Sequence, residues 1–135
     1  MEIIMVDTSA VYALLDRSDE MHDRAKNCLL IINQNKNRVL LTNFIVAECH
    51  ALISSRLNHE IAINWLKNLC WPVERVLEED EKNAVQIIMS YRDKSYTYTD
   101  ATTFAVFNRV GLSTAFAFEN HFKQFDFMPI EGLNS

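Results

Sequence analysis

The amino-acid sequence predicts an α/β fold in which a parallel sheet lies between two layers of helices. Short apolar segments of strand length alternate along the chain with longer segments whose apolar residues recur at helical spacing. The first short segment, 3–6, is apolar throughout, which is typical of a strand buried on both faces of a parallel sheet. We therefore expect a three-layer α/β/α sandwich with four to five parallel strands.

Composition favours one compact domain over residues 1–135. The chain is 49% hydrophobic and contains only two Gly and two Pro. It has no apolar run of membrane-spanning length and no signal-type amino terminus, so we expect a cytoplasmic protein. Three cysteines, at 28, 49 and 70, lack metal-binding spacing and are interpreted as reduced packing residues. The net charge of −5 disfavours nucleic-acid binding unless cations or a local basic cluster offset it.

The first half of the chain contains two predicted strands and four predicted helices. After strand 3–6, apolar residues at helical spacing begin at Ala10, and a second amphipathic helix covers 19–34. Strand 39–41 is followed by a helix over 44–57, which either Thr42 or Asn43 caps. Asn58 opens another helix, and Trp71-Pro72 stops it.

The second half continues the alternation. A weaker strand is predicted over 73–77, and a helix follows the acidic run 78–81. Acids in a first helical turn suit the helix dipole, so this run is interpreted as a solvated helix start. The remaining predicted elements are a helix over 100–110 ended by Gly111, a strand over 112–118, a helical turn over 120–124 and a strand over 127–130.

Two acids lie at informative positions in this pattern. Asp7 stands between the first strand and its helix, at the carboxyl edge of the sheet, where ligands collect. It either caps the helix or binds a ligand. Glu48 shares a helix face with Phe44 and Leu52, so it points inward. A carboxylate there either pairs with an arginine or binds a cation.

Two further acids are predicted at the same edge. Asp100 begins a helix that runs back antiparallel to strand 112–118, and it also fits a capping box with Thr97. Glu119 ends that strand and would otherwise be an ordinary loop acid. Converging carboxylates repel each other unless a cation lies between them. Hard oxygen ligands suit Mg²⁺ or Mn²⁺, which can activate water for attack on a phosphodiester.

These residues belong to short motifs that occur in a recognisable order. The motifs are 6–10, 42–44 leading through Glu48 to 50–52, 98–101 leading into 104–106, and 115–122. In this order and spacing they resemble the PIN domain family, and within it the small VapC-type toxins. The resemblance covers essentially the whole chain.

The resemblance implies a parallel sheet in the order 3-2-1-4-5 and metal-dependent endonuclease action on RNA. It implies a homodimer held inactive by a cognate antitoxin protein that reaches into the acidic site. The implied metal ligands and catalytic residues are Asp7, Glu48, Asp100 and Glu119. Thr8 and Asn43 would orient carboxylates and a bound water. Glu119 departs from the pattern, which usually has Asp, so direct ligation by it stays open; Asp126 is a weaker substitute.

Other polar and aromatic residues have two interpretations each. Arg92, Lys94 and Tyr98 would contact RNA at the rim of the site, or they are ordinary surface residues. His121 is a ligand or proton donor, or a packing residue beside Phe122. The helices over 44–69, with Trp65 and Trp71 nearby, are candidates for the dimer surface.

The hypothesis is a Mg²⁺- or Mn²⁺-dependent ribonuclease that serves as a toxin of a toxin–antitoxin pair. One alternative is a PIN-like RNA- or protein-binding module without turnover. Others are a housekeeping RNA-processing nuclease and an enzyme acting on another phosphoester. An aspartyl-phosphate phosphatase is disfavoured, because residue 9 is Ser where such an enzyme needs a second Asp.

Overall fold

The computed structural model describes residues 2–118 and 128–129, and these form a parallel sheet with helices packed on it. The strands are β1 Ile3–Val6, β2 Arg38–Thr42, β3 Val73–Glu74, β4 Thr114–Phe116 and β5 Met128–Pro129. Neighbouring strands are all parallel and lie in the order β3-β2-β1-β4-β5. This confirms the expected order and the α/β fold class, and it puts β1 at the centre.

The described residues contain six α-helices, which alternate with the strands as predicted. They are α1 Thr8–Leu15, α2 His22–Gln34, α3 Asn43–Arg56, α4 His59–Lys67, α5 Glu78–Ser90 and α6 Tyr98–Val110. A short 3-10 helix, Arg92–Lys94, which was not predicted, lies between α5 and α6. Among the described residues, no helix is both long and apolar enough to cross a membrane.

The core lies where the central strands meet the helices. Ile4, Met5 and Val6 of β1 and Leu41 of β2 are fully buried, as is Phe116 of β4. This burial on both faces explains why the first strand reads as an uninterrupted apolar run. Asp7 therefore directly follows a strand whose last three residues are fully buried.

Helix ends agree with the sequence where a polar side chain caps them. The hydroxyl of Thr42 accepts the Ile45 N–H at the start of α3, so Thr42 is the cap rather than Asn43. Asn58 likewise caps α4. Gly111, with a φ of 81°, ends α6 in the left-handed conformation that glycine adopts without strain.

Some predicted ends were wrong. At these ends a side-chain oxygen, rather than a neighbouring backbone carbonyl, accepts a backbone N–H. α2 starts at His22 rather than Asp19, because the Asp19 carboxylate accepts the Met21 N–H in a turn. β3 is shorter than 73–77, since the Val76 N–H donates to the Asn43 side chain. β4 is shorter than 112–118, and the Phe118 N–H donates to the Ser9 hydroxyl.

The last part of the chain falls mostly outside the described residues. The predicted helical turn over 120–124 lies there, as do Glu119, His121 and Asp126. The predicted last strand is present as β5, paired with β4 through Thr114 and Ala115.

Candidate active site

A cavity of about 510 Å³ opens at the carboxyl edge of the sheet. Its walls come from the start of α1, the segment before α2, one face of α3, the start of α6 and the residue two places after β4. The lining residues are Thr8, Ser9, Tyr12, Asp19, Met21, Glu48, Leu52, Arg56, Thr97, Asp100 and Phe118. Elements distant in sequence thus meet where the parallel strands end, as expected for ligand sites in such sheets.

Glu48 is half-buried on α3 and faces this cavity. The hydroxyl of Thr8 donates a hydrogen bond of 2.5 Å to its Oε1 atom. Within residues 2–118, Glu48 forms no ion pair with an arginine, which removes that alternative for the described part of the chain. The inward carboxylate is therefore held by a neutral hydroxyl and keeps its negative charge uncompensated by that contact.

Asp7 is 4% exposed and caps α1, as one of its two interpretations predicted. Its Oδ2 atom accepts hydrogen bonds from the hydroxyl of Ser9 at 2.9 Å and from the Ser9 N–H at 3.3 Å. Ser9 and Thr8 both line the cavity, so Asp7 lies behind that wall.

The pKa of the buried Cys49 thiol is affected by the same carboxylates. Its pKa is raised to about 12, mainly by burial; the hydrogen bond with Thr8 lowers it, and the charges of Asp7 and then Glu48 make smaller contributions that raise it. Both acids are therefore close enough to this sulfur for their fields to act on it.

Asp100 is 7% exposed and has two functions at the start of α6. Its carboxylate accepts the Thr97 N–H at 3.1 Å, and its own N–H donates to the Thr97 hydroxyl at 3.0 Å. This is the predicted capping box. Asp100 also lines the cavity, so the hydrogen bond of the capping box fixes the position of its carboxylate there.

The other candidate residues lie away from the lining. Asn43 accepts the Val76 N–H at 2.8 Å and lines a separate cavity with His50 and Arg75. Tyr98 is 43% exposed, and its ring packs against Phe44 with centroids 5.8 Å apart.

The two basic candidates stand in the short helix before α6. Arg92 donates to the carbonyl of Met89 at 3.3 Å, and Lys94 forms a loose surface pair with Asp93 at 3.8 Å. Arg92 is exposed, whereas the Lys94 side chain is 36% exposed.

Several lining residues were not assigned to the site from the sequence, among them Asp19, Tyr12 and Arg56. The signal for Arg56 was its position eight residues after Glu48, with Leu52 midway, because residues four apart share a helix face. Its guanidinium carbon lies 5.2 Å from the centroid of the Tyr12 ring. The Tyr12 hydroxyl donates to Asp16 at 2.6 Å, which raises the pKa of Tyr12 and lowers that of Asp16.

The chemistry of the lining suits a hard divalent cation. Carboxylate and hydroxyl oxygens dominate the polar end of the cavity, and such ligands are those that Mg²⁺ and Mn²⁺ prefer. Within residues 2–118 and 128–129, no group of three His, Cys, Asp or Glu side chains is placed to hold a metal ion. Mg²⁺ usually takes one or two carboxylates and completes its shell with water and phosphate oxygens. The side chains present fit that kind of site.

The sequence is similar to that of a known family over most of its length. The family model described as PIN domain matches residues 4–128. The 23S rRNA-specific endonuclease VapC20 of Mycobacterium tuberculosis is 29% identical over 132 residues, which cover 95% of this chain and 98% of that protein.

Two solved structures resemble the fold. The crystal structure of Mycobacterium tuberculosis VapC20, described as a Sarcin-Ricin loop cleaving toxin, has a TM-score of 0.82 at 28% identity and covers 93% of this chain and 96% of that one. VapBC2 from Rickettsia felis, bound to a DNA fragment from their promoter, has a TM-score of 0.71 at 14% identity and covers 94% and 96%. The second likeness bears on the fold alone.

Proposed function

The chain belongs to the PIN domain family, whose model matches residues 4–128, and from that premise we propose that it is an endoribonuclease and the toxin of a toxin–antitoxin pair. The observation that carries the proposal is the single cavity lined by Glu48 and Asp100, with Asp7 behind its wall. The similarity to an rRNA-specific VapC endonuclease, which extends over nearly the whole of both chains, supports RNA as the substrate class.

In this proposal divalent ions, Mg²⁺ or Mn²⁺, are held by Asp7, Glu48 and Asp100, with Glu119 as a fourth acid. A bound ion of this kind supplies an activated water and stabilises charge on the phosphate oxygens. The chain's own contribution is to fix the carboxylates before substrate arrives. Thr8 holds one oxygen of Glu48, Ser9 holds one oxygen of Asp7, and the capping box holds Asp100.

The residues around the acids have supporting functions in the same proposal. Thr8 orients Glu48, and Asn43 orients the segment after β3 through its bond to Val76. Arg92, Lys94 and Tyr98 are proposed to contact RNA at the rim, where base stacking and phosphate contacts would act together. Substitution of Asn43 then affects cleavage less than substitution of Asp7.

The proposal is tested by cleavage of a single-stranded RNA in Mn²⁺ by wild-type protein, Asp7→Asn and Asp100→Asn. Both variants remove one charge and keep a similar side-chain shape, so we expect folded proteins without detectable cleavage. Asp23→Asn is the matched control, because Asp23 is exposed in the first turn of α2. Circular dichroism checks folding. Wild-type cleavage rates in Asp100→Asn would refute the site.

The rival function is an RNA- or protein-binding module without turnover, which the Glu-for-Asp change at 119 would favour. It predicts that the wild-type protein binds RNA but leaves it intact at every Mg²⁺ or Mn²⁺ concentration. The same titration, followed on a denaturing gel, decides between the two.

We also propose a homodimer and a cognate antitoxin as partners. An apolar cavity of about 460 Å³, lined by Trp65, Leu69 and Trp71 among others, provides surface of the kind that such partners cover. Light scattering after gel filtration is expected to give twice the chain mass for the isolated protein. A monomeric mass at all concentrations would remove the homodimer.

A further inference from the structure

The charge of the residues lining the cavity changes from one end of the cavity to the other. Glu48, Leu52 and Arg56 follow one another at intervals of four on α3, so one helix face supplies an acidic end, an apolar middle and a basic end. Eight residues of helix separate Glu48 from Arg56, which corresponds to a rise of about 12 Å. The acidic and basic side chains therefore start from backbone positions about 12 Å apart on this helix face.

Arg56 is held at its end of the cavity by an aromatic contact. Its guanidinium lies over the Tyr12 ring at 5.2 Å, an arrangement that favours a cation. Tyr12 is itself 7% exposed, and its hydroxyl is fixed by Asp16. Because the ring is buried and hydrogen-bonded, it limits the positions that the guanidinium can occupy.

The hydrogen-bonding groups of Arg56 are not used by carboxylates. In the part of the chain that the structure describes, Arg56 forms no ion pair, and it is the one basic side chain among the residues lining the cavity. A stacked guanidinium still presents its N–H groups around the edge of its plane, in a geometry that matches phosphate. An exposed, oriented arginine in an otherwise acidic cavity is therefore available to an anion.

We propose that Arg56 binds a backbone phosphate of the RNA next to the phosphodiester that is cleaved. This inference rests on the proposed ribonuclease function. RNA entering the cavity must bring neighbouring phosphates past Asp19 and the other acids, and each such phosphate is repelled. Arg56 offsets that repulsion at one point and fixes the register of the strand, so that the scissile bond stands at the acidic end.

The test measures RNA binding without relying on turnover. In the Asp100→Asn background, with Mg²⁺ present, anisotropy of a fluorescein-labelled single-stranded RNA gives the dissociation constant at several salt concentrations. We expect Arg56→Gln to weaken binding on the order of tenfold. The slope of log affinity against log salt should fall in magnitude by about 0.7, the value for one phosphate contact on a single strand.

Arg38→Gln is the matched control. Arg38 is exposed at the amino end of β2, on the opposite edge of the sheet, and its loss changes the net charge equally. It should leave both affinity and slope unchanged. Arg56→Lys keeps the charge, so the salt slope should be retained. It removes the planar guanidinium that stacks on an aromatic ring and pairs with phosphate, so part of the affinity should be lost. Equal weakening by Arg38→Gln, or an unchanged slope in Arg56→Gln, would overturn the assignment.

Kinetics separate this inference from the proposed function. With Asp100 intact, Arg56→Gln should raise KM on the order of tenfold and leave kcat within about twofold, because the contact is present before and during the reaction. If wild-type protein does not cleave RNA, the ribonuclease proposal fails while the binding measurement still decides the function of Arg56. A fall in kcat with unchanged KM would contradict ground-state phosphate binding.

Discussion

Neutral hydroxyl and backbone groups donate hydrogen bonds to the carboxylates of Asp7, Glu48 and Asp100. Hydroxyl groups of Thr8 and Ser9 donate to Glu48 and Asp7, and backbone and hydroxyl groups of Thr97 contact Asp100. A hydrogen bond fixes the position of a carboxylate without neutralising it. These hydrogen bonds therefore hold the three carboxylates in place at the carboxyl edge of the sheet.

The Cys49 thiol provides a prediction at the residue scale. With a pKa of about 12, roughly one thiol in ten thousand is ionised at pH 8, so Cys49 should react far more slowly with maleimide than exposed Cys70. Buried Cys28 should also be protected. Mass spectrometry of briefly labelled native protein is expected to find one modification, at Cys70, and three after unfolding. Rapid native labelling of Cys49 would contradict the buried environment described for it.

The same pKa has a consequence for stability. The folded value of about 12 exceeds the ordinary value of 9.0, so the native state holds this proton more tightly than the unfolded chain. The contribution of Cys49 is fully present below pH 9 and is lost as the pH rises toward 12. In urea unfolding, the wild-type midpoint should therefore fall more steeply than that of Cys49→Ala over this interval.

At the scale of elements, helix starts determine where the acids stand. Asp7 caps α1, Thr42 caps α3 six residues before Glu48, and Thr97 caps α6 three residues before Asp100. Polar residues at these positions satisfy the first N–H groups of each helix. Because the caps are local in sequence, the element order and the positions of the three acids could be predicted without coordinates.

A comparison of Thr97→Ala with Asn58→Ala separates the effect of a helix cap on stability from its effect on RNA cleavage. Each substitution removes one cap hydrogen bond, from α6 and α4 respectively, and each should cost about 1 kcal/mol in the free energy of unfolding. Only Thr97→Ala acts on a cavity acid, because the Thr97 hydroxyl accepts the backbone N–H of Asp100, so we expect it alone to lower cleavage, by about tenfold. Urea unfolding and RNA cleavage measure the two effects. Equal activity in both variants would mean that the cap does not position Asp100.

Arg109 joins three elements away from the cavity. From the end of α6 it donates to buried Asp80 on α5 at 2.9 and 3.0 Å, and to Glu74 of β3 at 3.2 Å. Arg109→Met would leave the fully buried Asp80 carboxylate without this partner, which should cost about 3 kcal/mol, the lower end of the usual range, since Arg109 is 25% exposed.

Two controls define the Arg109 prediction. Asp80→Asn combined with Arg109→Met removes the buried carboxylate that has lost its arginine, so the double variant should be more stable than Arg109→Met. Lys82→Met breaks the exposed pair with Glu78, at 3.6 Å, and should cost less than about 1 kcal/mol. Urea unfolding compares all of them. A loss in Arg109→Met no larger than that in Lys82→Met would show that the cluster is not a structural clamp.

For the whole molecule, predictability depends on how far apart the interacting residues lie in sequence. The sheet order and the position of Asp7, Glu48 and Asp100 along the elements follow from periodicity, caps and the resemblance to the family. Contacts such as Arg56 with Tyr12, or Arg109 with Asp80, depend on how helices lie against each other, and no local pattern encodes that. Asn43 shows the same limit, because its amide bonds a segment 33 residues away. Glu119 and His121 lie outside the described residues and stay predictions.

Metal binding should appear in the stability of the whole fold. An ion bound by the acids binds only the native state, since the unfolded chain separates Glu48 from Asp100. Mn²⁺ at about one hundred times its dissociation constant should therefore stabilise the protein by about 2.7 kcal/mol, which corresponds to roughly 10 °C in Tm. Asp100→Asn, with one ligand charge removed, should show a much smaller shift at the same concentration. Asp23→Asn should match the wild type, because its carboxylate lies on the exposed start of α2. Thermal unfolding with and without Mn²⁺ measures these shifts independently of any RNA, and an equal shift in all three proteins would place the ion elsewhere on the molecule.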